Sequence, residues 1–141
     1  MLNLQLSKLN QKLPEFKGSN WLIRIPLAIV FIQQGLSKIP FDNSSAEIYN
    51  LPLFIWVLVI FSELIAGFGL LFGGVLKSLN ISTWLGDFVT RFSGSVIVSV
   101  VIGVIVVADL DNFVEFILYD HLHVMLFCGG LFFALRGNRV K

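Results

Sequence analysis

The stretch 51–76, LPLFIWVLVIFSELIAGFGLLFGGVL, decides the fold because it is an apolar run interrupted by a single charged residue, Glu63. A bilayer core of about 30 Å needs about 20 apolar residues in helical form, so this run is long enough to cross it. Glu63 then falls near the bilayer centre, where a carboxylate normally faces the interior of a helix bundle and has a partner. We therefore expect a membrane helix with a buried acid.

Small residues occupy the same side of this helix as Glu63. At about 100° per residue, Glu63 and the small residues fall in two adjacent columns on the helix surface, whereas Phe68 and Phe72 lie on the opposite side. Lipid gives no hydrophobic drive for helix association, so small residues serve to let two backbones approach. The sequence predicts helix-packing positions at Ala66, Gly67, Gly69 and Gly73.

The composition indicates a polytopic membrane protein. Of the 141 residues, 56% are hydrophobic and 13% are charged, and the mean hydropathy is +0.85. These values exclude an ordinary soluble domain. Cys128 is the only cysteine, so a disulfide within the chain is excluded. The basic residues are scattered at the ends of apolar runs, which argues against nucleic-acid binding.

Four apolar runs predict four membrane spans in one domain over 21–141. The spans lie at about 21–38, 51–76, 84–108 and 113–135. We expect an all-α fold, a transmembrane four-helix bundle, with a polar loop at 40–50 between the first two spans.

Residues 1–20 form a separate N-terminal segment. Leucines at helical spacing in 1–13, with Lys8 and Lys12 on another face, predict a short interfacial amphipathic helix that ends at Pro14. A frayed tail is the alternative.

The first span carries charge at both ends of one face. Arg24 and Lys38 share this face with Gly35, and Gln34 lies beside it. Charge at the ends and small residues between them define an inward surface, so we expect Gly35 to be a packing position. The first two spans are antiparallel neighbours, and we therefore expect Lys38 or Gln34 to contact Glu63.

The third span has a column of small and polar residues. They recur every four positions and are Asp87, Arg91, Ser95, Ser99 and Gly103. This spacing predicts a close helix crossing, with packing positions at Ser95, Ser99 and Gly103. The spacing of Asp87 and Arg91 also predicts an ion pair near the membrane surface. A contact of Arg91 with an anion or a lipid head group is the alternative.

Polar residues interrupt the first half of the last span. Asp120 and His123 share a face, whereas His121 lies on another, so the two histidines cannot chelate one metal from a regular helix and no metal is expected. The polar groups inside the membrane boundary predict a polar pocket in the outer half of the bundle. Its candidate residues are Glu63, Gln34, Lys38, Asp120 and His123.

The distribution of Lys and Arg predicts the orientation. With four spans, only Lys38 falls on one side of the membrane, and the other nine basic residues fall on the opposite side. These are Lys8, Lys12, Lys17, Arg24, Lys77, Arg91, Arg136, Arg139 and Lys141. Because basic residues are enriched on the cytoplasmic side, we expect both termini and the segment 1–20 to be cytoplasmic.

This arrangement resembles the DoxX family of small four-helix bacterial membrane proteins. The resemblance rests first on residues 24–38, RIPLAIVFIQQGLSK, with an arginine near the start and a Gly-x-x-Lys near the end. Gln34 stands where many members have a histidine. The second helix has an acid, Glu63, followed by glycines at Gly67, Gly69 and Gly73, as is common in the family. Tyr119 and Asp120 resemble an aromatic and acid pair that opens the family's last helix, and Gly137 resembles a glycine that follows it.

The resemblance implies a redox-linked subunit in the bacterial inner membrane. Members are associated with membrane oxidoreductase systems, including a small subunit of a thiosulfate:quinone oxidoreductase. It therefore implies the lipid bilayer and other membrane subunits as partners, and quinone as a candidate non-covalent cofactor. Three hypotheses stay open: an accessory or structural subunit, a quinone-binding or catalytic subunit, and a small-molecule or proton pathway. The first is favoured, because the chain has no cofactor motif and no nucleophile constellation.

Overall fold

The regular secondary structure is entirely helical in the part of the chain that the computed structural model describes, residues 18–39, 41, 43–107, 114, 117 and 120–139. The helices whose bounds fall within this part of the chain are α1 (Ser19–Ser37), α2 (Asn43–Ile48), α3 (Leu53–Ser78), α4 (Thr83–Val107) and α5 (His121–Arg136). The predicted all-α class is confirmed. The amphipathic helix predicted within 1–13 lies outside the described residues.

A short helix replaces part of the predicted polar loop at 40–50. In α2, Ala46 is buried and packs with Trp56 and Ile60 of α3. The loop interpretation was wrong for this segment, because one apolar residue among polar ones is enough to attach a helical turn to the neighbouring helix.

Among the described residues, two helices have the length and composition needed to cross a membrane. They are α3, with 26 residues, and α4, with 25 residues. The helix α5 is apolar but has 16 residues. It begins at His121 because the side chain of Asp120 accepts a hydrogen bond from the backbone N–H of His123 at 3.2 Å, an N-cap interaction. Most of residues 113–119, at the start of the predicted last span, lie outside the described residues.

The four longer helices pack around one apolar core. The helix α3 packs against both α1 and α4, and α5 packs against α4 and more narrowly against α1. The core contains Leu27, Ala28, Phe31, Ala66, Leu70, Ile97, Val101, Leu126 and Phe133. Large apolar side chains such as Phe68, Phe72 and Phe88 are more than half exposed on the outside. A surface of this kind suits contact with lipid or another membrane protein.

Glycines permit two close helix crossings. Where α3 crosses α4, a Cβ added to Gly73 would lie 2.9 Å from the carbonyl oxygen of Gly86. Where α4 crosses α5, a Cβ added to Gly94 would lie 2.7 Å from the carbonyl oxygen of Gly130. Both distances are too short for a real Cβ, so each crossing requires glycine. Backbones can approach this closely only where the side chains are minimal.

The predicted packing positions on α3 lie at crossings. Ala66 is fully buried in the core, and a Cβ added to Gly67 would meet the carbonyl oxygen of Ala28 in α1 at 2.9 Å. Gly69 lies against Ser93 of α4. At the end of α1, a Cβ on Gly35 would lie 2.8 Å from the side chain of Leu64, while Gly73 belongs to the α3–α4 crossing described above.

The packing face of α4 differs from the predicted one. Ser95 and Ser99 are exposed, and their hydroxyl groups donate to the carbonyl oxygens four residues earlier, both at 3.0 Å. A Cβ added to Gly103 would find no atom within 4 Å. The packing prediction for these three residues is therefore corrected. The buried column of α4 is adjacent to it and comprises Gly86, Thr90, Ser93, Gly94, Ile97 and Val101.

Candidate functional site

Glu63 lies buried in α3 and is bound by Lys38, the residue after α1. Lys38 Nζ donates to both carboxylate oxygens, with a distance of 2.6 Å to Oε2. The side chains are 19% exposed for Lys38 and 5% exposed for Glu63, so the pair is shielded from the surroundings. The predicted contact of Glu63 with the first helix is therefore present, with Lys38 rather than Gln34 as the partner.

A tryptophan ring lies near this ion pair. Lys38 Nζ lies 5.9 Å from the ring centroid of Trp56. Tyr49 stacks on Trp56, with 5.2 Å between the two ring centroids. Trp56 Nε1 is buried and has no hydrogen-bond partner among the described residues. The pair thus lies beside an indole N–H that could donate to an acceptor.

The other pocket candidates do not join Glu63. His123 Nδ1 lies 2.6 Å from Asp120 Oδ2, so these two residues form a pair of their own at the start of α5. Gln34 is exposed on the outer surface of α1. Within the described ranges, no hydrogen bond or ion pair connects Asp120, His123 or Gln34 with Glu63. The geometry shows two separate pairs, and a pocket shared by all five residues stays a prediction.

A second polar cluster, which we call the Arg24 cluster, lies nearer the opposite end of α3 and consists of Arg24, Thr90 and Asn138. Arg24 is fully buried. Its Nη1 donates to the carbonyl oxygen of Leu70 and, at 3.2 Å, to Thr90 Oγ1, and its Nη2 donates to Asn138 Oδ1. No carboxylate pairs with Arg24 among the described residues. The guanidinium also lies 4.6 Å from the ring centroid of Phe133, so dipoles and an aromatic face replace a counter-ion.

Asn138, just beyond α5, links several helices. Its side-chain Nδ2 donates to the carbonyl oxygen of Gly73 at 2.9 Å, while Oδ1 accepts from Thr90 at 3.1 Å as well as from Arg24. Its backbone N–H donates to Asp87 Oδ1 at 2.8 Å, and its carbonyl oxygen accepts from Lys77 Nζ. The chain after α5 is thereby attached to α1, α3 and α4.

The predicted ion pair of Asp87 and Arg91 is present on α4. Arg91 Nε donates to Asp87 Oδ2 at 2.8 Å. Arg91 Nη1 also donates to the carbonyl oxygens of Ala134 at 3.2 Å and Leu135 at 2.6 Å, near the end of α5. These donors are used within the protein, so Arg91 stabilises the end of α5.

Thr90 and Asn138 were missed in the sequence analysis. Each is a single polar residue of a type common at helix ends and on membrane helices, and nothing in the local pattern marks it. One signal was available, because a buried arginine on the inward face of the first span requires acceptors. Asn138 follows Gly137, which has a φ of 57° and ends α5 by a turn that directs the chain back onto the bundle.

A lateral groove of about 720 Å³ lies between α3 and α4. Its walls are mostly apolar, and hydroxyl groups lie along it. The lining includes Leu58, Val59, Ser62, Val96, Ser99 and Val100. Ser95 and Gly103, which were expected at a helix crossing, line this groove instead.

The described part of the chain is helical, contains two apolar helices long enough to cross a bilayer and has charged groups buried among its helices, which is the construction of a membrane protein. The DoxX family model matches residues 20–110, more than half of the chain. The chain belongs to the DoxX family, a membrane protein family. The matched range contains Arg24, Lys38 and Glu63. No match was found among the curated proteins or among the solved structures.

Proposed function

We propose that this protein is an accessory, non-catalytic subunit of a membrane-bound oxidoreductase complex. One observation carries the proposal: the ionisable groups of the predicted pocket, all of which the structure describes, are bound in pairs to one another. Lys38 occupies both oxygens of Glu63, and His123 lies against Asp120. A catalytic acid, base or nucleophile would need access to a substrate. The link to an oxidoreductase comes from the family resemblance.

The outer surface supports a role that depends on contact with other molecules in the membrane. Phe54, Phe68 and Phe72 of α3 are 74%, 55% and 55% exposed, and Trp84 and Phe88 of α4 are exposed as well. In a bilayer such residues meet lipid tails or the helices of another subunit. We therefore infer the bilayer and larger membrane subunits as partners.

We also infer a four-span bundle in the bacterial inner membrane, with both termini in the cytoplasm. The lengths of α3 and α4 support two spans, and α1 and α5 pack beside them. Lys77 contacts the segment after α5 and Arg91 contacts the end of α5, whereas Lys38 binds Glu63 farther along the bundle. This separation agrees with the asymmetry on which the orientation rests.

Purification of the tagged full-length chain from its native membrane tests the proposal. We expect subunits that contain a redox cofactor to copurify in fixed stoichiometry, and the complex to dissociate more readily when the chain is deleted. The variant Glu63→Gln, introduced into the intact complex, should change turnover less than about twofold, since its carboxylate takes no part in chemistry. Recovery of the chain alone, or a loss of turnover of more than a hundredfold in an assembled Glu63→Gln complex, would contradict an accessory role.

The groove between α3 and α4 favours quinone binding as a second candidate function. A quinone needs apolar walls and a hydrogen-bond donor, and the groove offers both through its valines and the hydroxyl group of Ser62. A water-soluble quinone analogue should raise the melting temperature of the purified protein. The groove-filling variant Ser99→Leu should abolish this increase, and Ser78→Leu, at an exposed position outside the groove, should preserve it. Equal responses of all three proteins would argue against this site.

A further inference from the structure

A cavity of about 320 Å³ lies where the end of α3, the start of α4 and the segment after α5 meet. Its volume is within the range of small-ligand pockets. The lining residues are Lys77, Thr83, Trp84, Asp87, Asn138 and Arg139.

The charge of this cavity is positive because its acid is already paired. Asp87 Oδ2 accepts from Arg91 Nε at 2.8 Å, and Asp87 Oδ1 accepts from the backbone N–H of Asn138 at 2.8 Å. Lys77 and Arg139 have no ion pair with any residue in the described ranges. Arg139 also interacts electrostatically with Asp87, so the positive charges of Lys77, Arg139 and Arg91 outnumber the single carboxylate at the cavity.

Donor groups remain available on both cations. Lys77 Nζ donates to the carbonyl oxygen of Asn138, which leaves two of its three N–H groups for a ligand. The side chain of Arg139 is exposed and makes no hydrogen bond to another described residue. The backbone of Asn138 thus holds Lys77 in place beside Arg139, whose exposed side chain keeps its N–H groups available for an anion.

The position of Trp84 relates the cavity to the membrane surface. Trp84 lies in the first turn of the apolar helix α4 and is 74% exposed. Tryptophan at the end of a membrane helix is typical of the head-group region, because its ring suits both the apolar and the polar side. A cavity that this residue lines is at the depth of the lipid phosphates.

We propose that this cavity binds the phosphate of an anionic phospholipid, with Lys77 and Arg139 as the cationic contacts. The sequence suggested Arg91 as a head-group contact, but its N–H groups are bonded to Asp87 and to α5. The head-group contact is therefore assigned to Lys77 and Arg139. Clusters of basic residues at the edge of a membrane helix attract anionic lipids. The phosphate could also come from solution, and the experiment separates these sources. The inference goes beyond the proposed function and does not depend on it.

Thermal unfolding of the full-length protein in a neutral detergent provides the test. The probes are dihexanoyl phosphatidylglycerol, dihexanoyl phosphatidylcholine and inorganic phosphate. We expect phosphatidylglycerol to raise the melting temperature in a saturable manner, and the other two probes to have little effect. Removal of each cation should weaken the apparent affinity for phosphatidylglycerol about fivefold, in the variants Arg139→Gln and Lys77→Gln/Arg139→Gln.

Arg136→Gln is the matched control, because Arg136 is an exposed cation in the last turn of α5 that does not line the cavity. Its affinity for phosphatidylglycerol should equal that of the unmodified protein. The single variant Arg139→Gln loses no hydrogen bond within the described protein, so its loss of affinity cannot be ascribed to misfolding. An equal response to both lipids in all variants would overturn the site. An equal effect of inorganic phosphate, with the same dependence on Arg139, would overturn the lipid as its source.

Discussion

Arg24 and Asn138 are 114 positions apart in the chain, and Arg24 Nη2 donates a hydrogen bond to Asn138 Oδ1 inside the helix bundle. Both residues are at most 2% exposed. A buried guanidinium without a carboxylate must be stabilised by neutral acceptors, since an unpaired buried charge is very costly. The segment after the last helix therefore completes the interior of the protein.

Replacing Asn138 with alanine should destabilise the protein by about 2–3 kcal/mol. The change removes acceptors from Arg24 and Thr90 and a donor from the carbonyl oxygen of Gly73, all of which are buried. Chemical unfolding in detergent micelles measures the effect. Gln33→Ala is the control, because it removes an amide from an exposed position of α1 and should change stability by less than about 0.5 kcal/mol. Equal effects of the two substitutions would show that the Arg24 cluster contributes little.

A double-mutant cycle should show strong coupling between Lys38 and Glu63. Lys38→Met leaves a carboxylate that is 5% exposed without its partner, whereas the double variant Lys38→Met/Glu63→Gln leaves no charge. We expect the double variant to be more stable than the sum of the single effects predicts, by about 1–3 kcal/mol. The same cycle for Asp120 and His123, whose side chains are 35% and 30% exposed, should give a smaller coupling energy. Additive effects at Lys38 and Glu63 would contradict a shielded ion pair.

Two glycines of α4 should respond oppositely to substitution by alanine. In Gly94→Ala the new Cβ would lie 2.7 Å from the carbonyl oxygen of Gly130, so α4 and α5 must separate at a cost of about 1–3 kcal/mol. In Gly103→Ala the Cβ meets no atom within 4 Å, and the higher helix propensity of alanine should stabilise by up to about 1 kcal/mol. The unfolding midpoints of the two variants, measured in the same detergent, show whether the changes in stability have opposite signs. Destabilisation by Gly103→Ala would restore the packing role that the sequence pattern indicated.

The sequence narrowed the partner of Glu63 to two candidates, Lys38 and Gln34, because the constraint was strong, and the structure has Lys38. An acid in the middle of an apolar helix needs a counter-charge, and an antiparallel neighbour with one lysine near the same depth supplies it. The packing face of α4 was harder to predict. Small residues occupy two adjacent columns of this helix, one through Gly86 and Thr90 and the other through Ser95 and Ser99, and a rotation of about 100° exchanges them.

The Arg24 cluster could not be predicted because it depends on where the chain goes after α5. The turn at Gly137, with its φ of 57°, directs Asn138 into the bundle, and no periodic pattern encodes that direction. The sequence placed Arg24 on an inward face without identifying its acceptors. Local patterns therefore located the buried charge, whereas its surroundings required the tertiary structure.

The orientation of the chain gives the last prediction, four spans with both termini in the cytoplasm. Nine of the ten Lys and Arg residues lie on one side of this arrangement, and basic residues near membrane helices stay on the cytoplasmic side. Alkaline phosphatase fused after Lys141 should be inactive and a fluorescent protein at the same position should be bright, while both reporters should behave oppositely when inserted in the segment 43–48. The double variant Lys38→Gln/Glu63→Gln serves as a control, since it removes the one basic residue of the opposite side without leaving Glu63 unpaired and should keep the same orientation. An active phosphatase at the C-terminus would require an odd number of spans or the reverse orientation, and either result would refute the prediction.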